Sequence, residues 1–157
     1  MMTEIRLQLE NEQATVSLGG QLAKACQQSV VIFLHGELGA GKTTLSRGFV
    51  QGMGHTGRVK SPTYALVEPY QLGEWSVSHF DLYRLCDPEE LEYMGIRDYF
   101  ADNSLCLIEW PEKGKGMLPE PDLELWLAYQ GEQRVVRIQG HTEVGKAIVR
   151  AVGSSEH

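Results

Sequence analysis

The segment Gly36-Glu37-Leu38-Gly39-Ala40-Gly41-Lys42-Thr43 has the residue types and spacing to hold a chain of phosphates. Phosphate oxygens need many donors in a small space, and side chains alone cannot crowd that closely. Glycines let the backbone curl so that successive N–H groups point inward. Here Gly36, Gly39 and Gly41 supply that freedom. Lys42 is spaced to reach the β- and γ-phosphates, and the Thr43 hydroxyl to bind Mg²⁺. A helix beginning at Lys42 would aim its positive end at the same anion.

Such a loop needs an acid at the end of a neighbouring strand, to hold the metal or to orient an attacking water. Two acids qualify. Asp81 ends Trp75-Ser76-Val77-Ser78-His79-Phe80, and Glu109 ends Leu105-Cys106-Leu107-Ile108. The hydrophobic run alone favours Glu109, and the residues do not divide the two roles. Trp110, just past Glu109, stands where α/β sheets bind ligands. His35 and His79 lie beside these positions, but a lone histidine is usually a hydrogen-bonded filler, and neither is given a catalytic role. No lysine has an aspartate two places on, the guanine-reading element of many such proteins, so adenine is the expected base.

The elements that must position these residues are legible from hydrophobic periodicity. Residues 4 to 10 alternate as a first strand. Asn11 caps a helix running to about Cys26, weakened on this reading by Gly19-Gly20. Val30 to Leu34 is a β-branched apolar run suited to a strand buried on both faces. The glycine loop follows, then a helix from Lys42 to Met53. Thr63 to Tyr70 and Trp75 to Asp81 read as a hairpin around Gln71 to Glu74. Asp87-Pro88-Glu89-Glu90 starts a helix. Leu105 to Glu109 is a buried strand, and Leu123 to Tyr129 with Arg134 to Ile138 is a second hairpin. A closing helix spans His141 to Val152. The expected fold is one α/β domain over residues 1–157, with a partly parallel sheet and antiparallel additions. Disorder is expected only at Gly153 to His157.

With 157 residues, 42% hydrophobic and 22% charged, the composition is that of a soluble globular domain. The N-terminus has no basic start before an apolar core, and no apolar run approaches a membrane span, so a cytoplasmic protein is expected. Cys26, Cys86 and Cys106 are scattered and read as buried, reduced thiols. The net charge of −7 argues against nucleic-acid binding by the whole surface. The charge is uneven, however. Residues 41–60 carry Lys42, Arg47, Arg58 and Lys60 with no acid, while residues 68–124 carry fourteen acids against four bases, a local −10. One functional reading is a basic rim beside a phosphate site and an acidic face offered to a partner.

Four segments taken together resemble the TsaE family (also called YjeE), bacterial ATPases of tRNA threonylcarbamoyladenosine synthesis. They are Gly36 to Thr44, Ser61-Pro62-Thr63-Tyr64, His79-Phe80-Asp81-Leu82-Tyr83-Arg84-Leu85 and Ile108-Glu109-Trp110-Pro111-Glu112, in that order and spacing. The resemblance implies an ATP-driven accessory that binds the TsaB–TsaD pair and resets it between turnovers, without itself being the transferase. It implies that Lys42 serves the phosphates, that Thr43 and Glu109 serve Mg²⁺, and that Asp81 is needed for hydrolysis. It makes Ser61-Pro62-Thr63 a switch-like loop, and it puts Trp110, Glu12 and Arg134 near the nucleotide. Glu37 stands where the family often has aspartate, and residues after Gly140 follow no family pattern. Direct tRNA contact by the basic segment and the oligomeric state are left open.

Two other functions fit a phosphate loop. A small kinase would need a lid carrying arginines, but the stretch from Gly52 to Ser61 has only Arg58 and Lys60, and the segment around Arg84 is largely acidic. A binding module would use ATP as a switch without turnover.

Overall fold

The chain's computed structural model describes residues 3–60, 62 and 66–155. Seven strands form one sheet: β1 (Glu4–Leu9), β2 (Val30–His35), β3 (Val67–Leu72), β4 (Trp75–Asp81), β5 (Ser104–Glu109), β6 (Leu123–Gln130) and β7 (Gln133–Gly140). Their order is β1-β7-β6-β2-β5-β4-β3. Strands β6, β2, β5 and β4 run parallel, while β3 and the β7–β1 pair are added antiparallel at the two edges. The expected fold class is therefore the observed one. Proline interrupts a central strand but is tolerated at an edge, which is where Pro69 of β3 lies.

Among the described residues four helices flank the sheet: α1 (Glu12–Ala25), α2 (Lys42–Gly52), α3 (Glu89–Tyr93) and α4 (Glu143–Ser155). Asn11 caps α1 as expected, its Oδ1 accepting from the Ala14 N–H at 2.9 Å. Gly19, one of the two glycines read as a weakness in α1, is a packing device. A Cβ on Gly19 would lie 2.2 Å from the Leu45 carbonyl oxygen, and one on Gly48 2.2 Å from that of Val16. Only glycine lets the α1 and α2 backbones approach this closely, so α1 braces the helix that begins at the phosphate-type loop. Leu18, Leu22, Leu45 and Phe49 fill the seam and pack on β2 through Ile32 and Leu34. On the opposite face Phe80, Cys106 and Ile108 pack under α3 and the short turns at Ile96–Phe100 and Pro111–Gly114.

Several boundaries differ from the sequence reading, each for a local reason. The first hairpin turns on Gly73, whose φ of 65° makes the bend, so Gln71 and Leu72 belong to β3. Asp87 does cap α3, accepting from the Glu89 N–H at 2.9 Å while Glu90 accepts from the Asp87 N–H at 3.0 Å. That helix is only five residues long. Gly95 then takes the left-handed conformation at φ 73°. The closing helix runs through Gly153 to Ser155, past the point where order was expected to end. Cys26 and Cys106 are buried, and desolvation pushes both thiols up to about 12. Cys86 is exposed, against expectation, because it lies on the acidic turn before α3. Ser61, Thr63 and Tyr64 lie outside the described residues, and of the expected switch-like loop only Pro62, buried, is described. Among the described residues no helix is long and apolar enough to cross a membrane.

Candidate functional site

One row across the parallel strands organises the site. Leu34 of β2 pairs with Glu109 of β5, and Glu109 pairs with Asp81 of β4. All three stand at the C-terminal ends of their strands, so the loop after β2 opens beside both acids. In-register neighbours on parallel strands share a face, and this is the face that α2 covers. Two acids separated by 28 positions in sequence are thus brought together by strand register.

The loop is shaped by three left-handed glycines, Gly36 at φ 146°, Gly39 at 81° and Gly41 at 111°. Gly36 has no room for a side chain, because a Cβ would meet the Leu127 carbonyl at 2.6 Å. Gly41 turns the chain into α2, and the first intrahelical bond is Leu45 N–H to Gly41 carbonyl at 2.9 Å. The N–H groups of Lys42, Thr43 and Thr44 precede that bond and face out of the helix start, as an anion requires. Ala40 is different: it is fully buried and its N–H is engaged by the Glu37 carbonyl at 3.0 Å. The Glu37 side chain is exposed and lines neither cleft described below.

Lys42 is buried, and its ammonium donates to the Gly36 carbonyl at 2.5 Å and sits 3.7 Å from the Trp110 ring centre. Burial pulls its pKa down, while Glu109, Asp81 and Glu112 pull it back toward the charged form. Trp110 holds an uncommon left-handed backbone, φ 57°, that turns the chain sharply after β5 into Pro111. Its ring also packs on Tyr83, centroids 5.1 Å apart. Thr43 donates its hydroxyl to Glu109 Oε2 at 3.2 Å, and the same oxygen lies 2.5 Å from His79 Nε2. Asp81 accepts the Tyr83 N–H at 3.1 Å. Desolvation raises its pKa, the Tyr83 N–H lowers it, Glu109 raises it further, and His79 and Lys42 oppose that rise.

Lys42, Thr43, Asp81, Glu109 and Trp110 line a cleft of about 160 Å³ together with Leu38 and Gly39. A second cleft of about 270 Å³ opens on the other side of the loop, bounded by Asn11, Glu12, Thr15 and Arg134. Gly39, Gly41 and Thr44 line both, so the loop is the wall between them. The distant residues Glu12 and Arg134 are therefore brought together with the loop. Glu12 pairs with Arg47 at 2.7 Å across exposed surface. Arg134 lies over the Tyr129 ring at 4.1 Å, and the Tyr129 hydroxyl donates to the Leu38 carbonyl at 2.9 Å. The β6–β7 hairpin thus clasps the loop from outside.

Sequence reasoning passed over His79, Tyr83 and Tyr129. For His79 a signal was present: it lies two residues before Asp81 on one strand, hence on the same face. For Tyr129 there was none, since its partner Leu38 is 91 positions away. His35, also set aside, is tied to Glu124 at 2.6 Å and stacks on Trp126, pointing away from the loop's cleft.

Among the described residues no group of three or more His, Cys, Asp or Glu could hold a metal by itself. The adjacent Thr43 and Glu109 oxygens are nevertheless the donor set that suits Mg²⁺, which takes one or two protein oxygens and completes its shell with phosphate and water.

The sequence model described as threonylcarbamoyl adenosine biosynthesis protein TsaE matches residues 9–139. A Haemophilus influenzae protein named tRNA threonylcarbamoyladenosine biosynthesis protein TsaE is 54% identical over 125 residues, covering 80% of this chain and 79% of its own. The Bacillus subtilis protein of the same name is 33% identical over 131 residues, covering 83% and 82%. A crystal structure of Bacillus subtilis YdiB has the same fold, with a TM-score of 0.83 over 100% of this chain and 99% of that one at 24% identity. With 131 of its 157 residues matched by the family's own sequence pattern, this chain belongs to the TsaE family.

Proposed function

We propose that this chain binds ATP with Mg²⁺ and hydrolyses it in the cytoplasm, as an accessory to the TsaB–TsaD pair in threonylcarbamoyl modification of tRNA adenosine. The observation that carries this reading is the Leu34–Glu109–Asp81 row, which sets two carboxylates beside the glycine loop. Within it Lys42 exchanges its contacts with the Gly36 carbonyl and Trp110 for phosphate oxygens. Thr43 and Glu109 would hold Mg²⁺, whose bound charge offsets that of the phosphates. Asp81, raised toward neutral pH by burial, accepts from and orients the attacking water. The cleft across the loop, with Glu12, Thr15 and Arg134, receives the nucleoside.

Dependence on a partner follows from what the phosphate cleft contains. Among the described residues Lys42 is the only cation that lines it, set against Asp81 and Glu109. An arginine supplied from outside raises turnover in related chemistry by roughly a thousandfold or more. The chain alone is therefore slow, and docking supplies a cation. Phosphate release measured with and without TsaB–TsaD tests this. Turnover by the isolated chain that the pair leaves unchanged would overturn the accessory reading.

A further inference from the structure

We infer that His79 is the positioning residue for Glu109, holding its carboxylate where Thr43 and a Mg²⁺ ion meet it; this rests on the nucleotide reading above. His79 sits on β4 opposite Leu107 of β5, so its ring lies diagonally behind Glu109 on the face covered by α2. Its Nε2 is 2.5 Å from Glu109 Oε2, with the two side chains only 1% and 4% exposed. The other ring nitrogen, Nδ1, is buried with no hydrogen-bond partner among the described residues.

That asymmetry separates His79 from an ordinary core histidine. Buried polar atoms are nearly always paired, and a ring kept only for packing would be better replaced by an apolar one. This ring accepts an orphaned nitrogen and makes one short bond, to an acid at the mouth of the site. The tautomer follows from the same contacts. Glu109 Oε2 already receives the Thr43 hydroxyl at 3.2 Å, so it is an accepting oxygen, and Nε2 carries the hydrogen. Two donors from different elements, His79 behind and Thr43 in front, converge on one oxygen and fix the carboxylate rotamer. Outer-shell partners of this kind change metal affinity by about 10- to 100-fold when removed.

The test is calorimetric titration of a non-hydrolysable ATP analogue into the full chain across a Mg²⁺ series and in EDTA. His79→Ala should raise the half-saturating Mg²⁺ concentration by about 10- to 100-fold while leaving affinity in EDTA unchanged. His79→Gln, which keeps an N–H donor, should recover most of the loss. An unshifted Mg²⁺ midpoint in folded His79→Ala, or no recovery in folded His79→Gln, overturns the inference. Should neither variant fold, the ring is read in the wild-type chain by long-range ¹⁵N–¹H NMR: the Nε2–H form supports the inference and the Nδ1–H form ends it. A wild type whose analogue binding ignores Mg²⁺ would bring down the metal reading as well, whereas a failure confined to the variants brings down this inference alone.

Discussion

Asp81→Asn should make the protein more stable above neutral pH while removing turnover. Asp81 and Glu109 are in-register neighbours on adjacent strands, which lie about 4.8 Å apart. Two unit charges at about 5 Å repel by roughly 3 kcal/mol at an effective dielectric near 20. Lys42 and His79 draw the Asp81 charge down again, the Tyr83 N–H bonds it, and the carboxyl is partly open to solvent. The net cost is of the order of 1 kcal/mol, and burial raising the Asp81 pKa gives the same sign. Between the ordinary aspartate value and the raised one, the folded chain binds more proton than the unfolded chain, so stability falls as pH rises through that window. Asparagine keeps the oxygen that accepts from Tyr83 and removes the charge. For a chain of this length the expected gain is about 2–4 °C in Tm at pH 8, vanishing at pH values below the window. Calorimetric melts from pH 3 to 8.5 without nucleotide would show it. A variant that melts lower than wild type at pH 8, or gains equally at every pH, would refute the reasoning.

Lys42→Ala should weaken ATP binding by about 10- to 150-fold, the worth of a charge-assisted bond, and remove phosphate release with an unchanged circular dichroism spectrum. Wild-type turnover in that variant would dismiss the phosphate role of the loop. In a chain carrying Trp75→Phe and Trp126→Phe, Trp110 fluorescence should change on adding ADP or ATP, because Lys42 leaves its 3.7 Å contact with the indole; a flat titration at saturation would argue otherwise. Gly48→Ala should lower stability by about 1–2 kcal/mol in urea titration, because a Cβ set 2.2 Å from the Val16 carbonyl forces the helices apart at more cost than the roughly 1 kcal/mol of helix propensity gained. A higher urea midpoint than wild type would contradict the close-packed seam.

What was legible in the sequence is what depends on neighbours in the chain. The glycine loop, the strand before it and the helix after it lie within 23 consecutive residues, and their periodicity and glycine spacing place them directly. Both acids could be marked because each ends a segment that reads as a strand. Their meeting, however, depends on β5 lying between β2 and β4, an order that no local pattern encodes. Local pattern puts His79 on the face of Asp81, but its bond to Glu109, 30 positions on, depends on the same strand order. Gly19 was misread for a related reason. Helix propensity is a property of one segment, and close approach to Leu45 and Gly48 is a property of two. Cys86 was assigned to the core by residue type, which says nothing of a turn whose polar neighbours keep it at the surface.

The two carboxylates of the row have the same charge and nearly the same place, yet their surroundings differ, and this is what separates their proposed roles. Glu109 is 3% exposed and bonded by His79 and Thr43, so its orientation is fixed before any ligand arrives. A group held that way suits a cation, which demands defined geometry. Asp81 is more open, and the bond that holds it comes from the Tyr83 backbone through one oxygen. It can meet water, and burial has already moved its pKa in the direction a base needs. The pair nevertheless leaves Lys42 outnumbered in the phosphate cleft before a nucleotide adds its own charge. On the proposed reading, phosphate binding on this row requires further positive charge, part of it from the Mg²⁺ that Thr43 and Glu109 would hold. The remainder, needed when charge shifts at the γ-phosphate, has no source among the residues that line the cleft, which is why its proposed supplier is the docked partner.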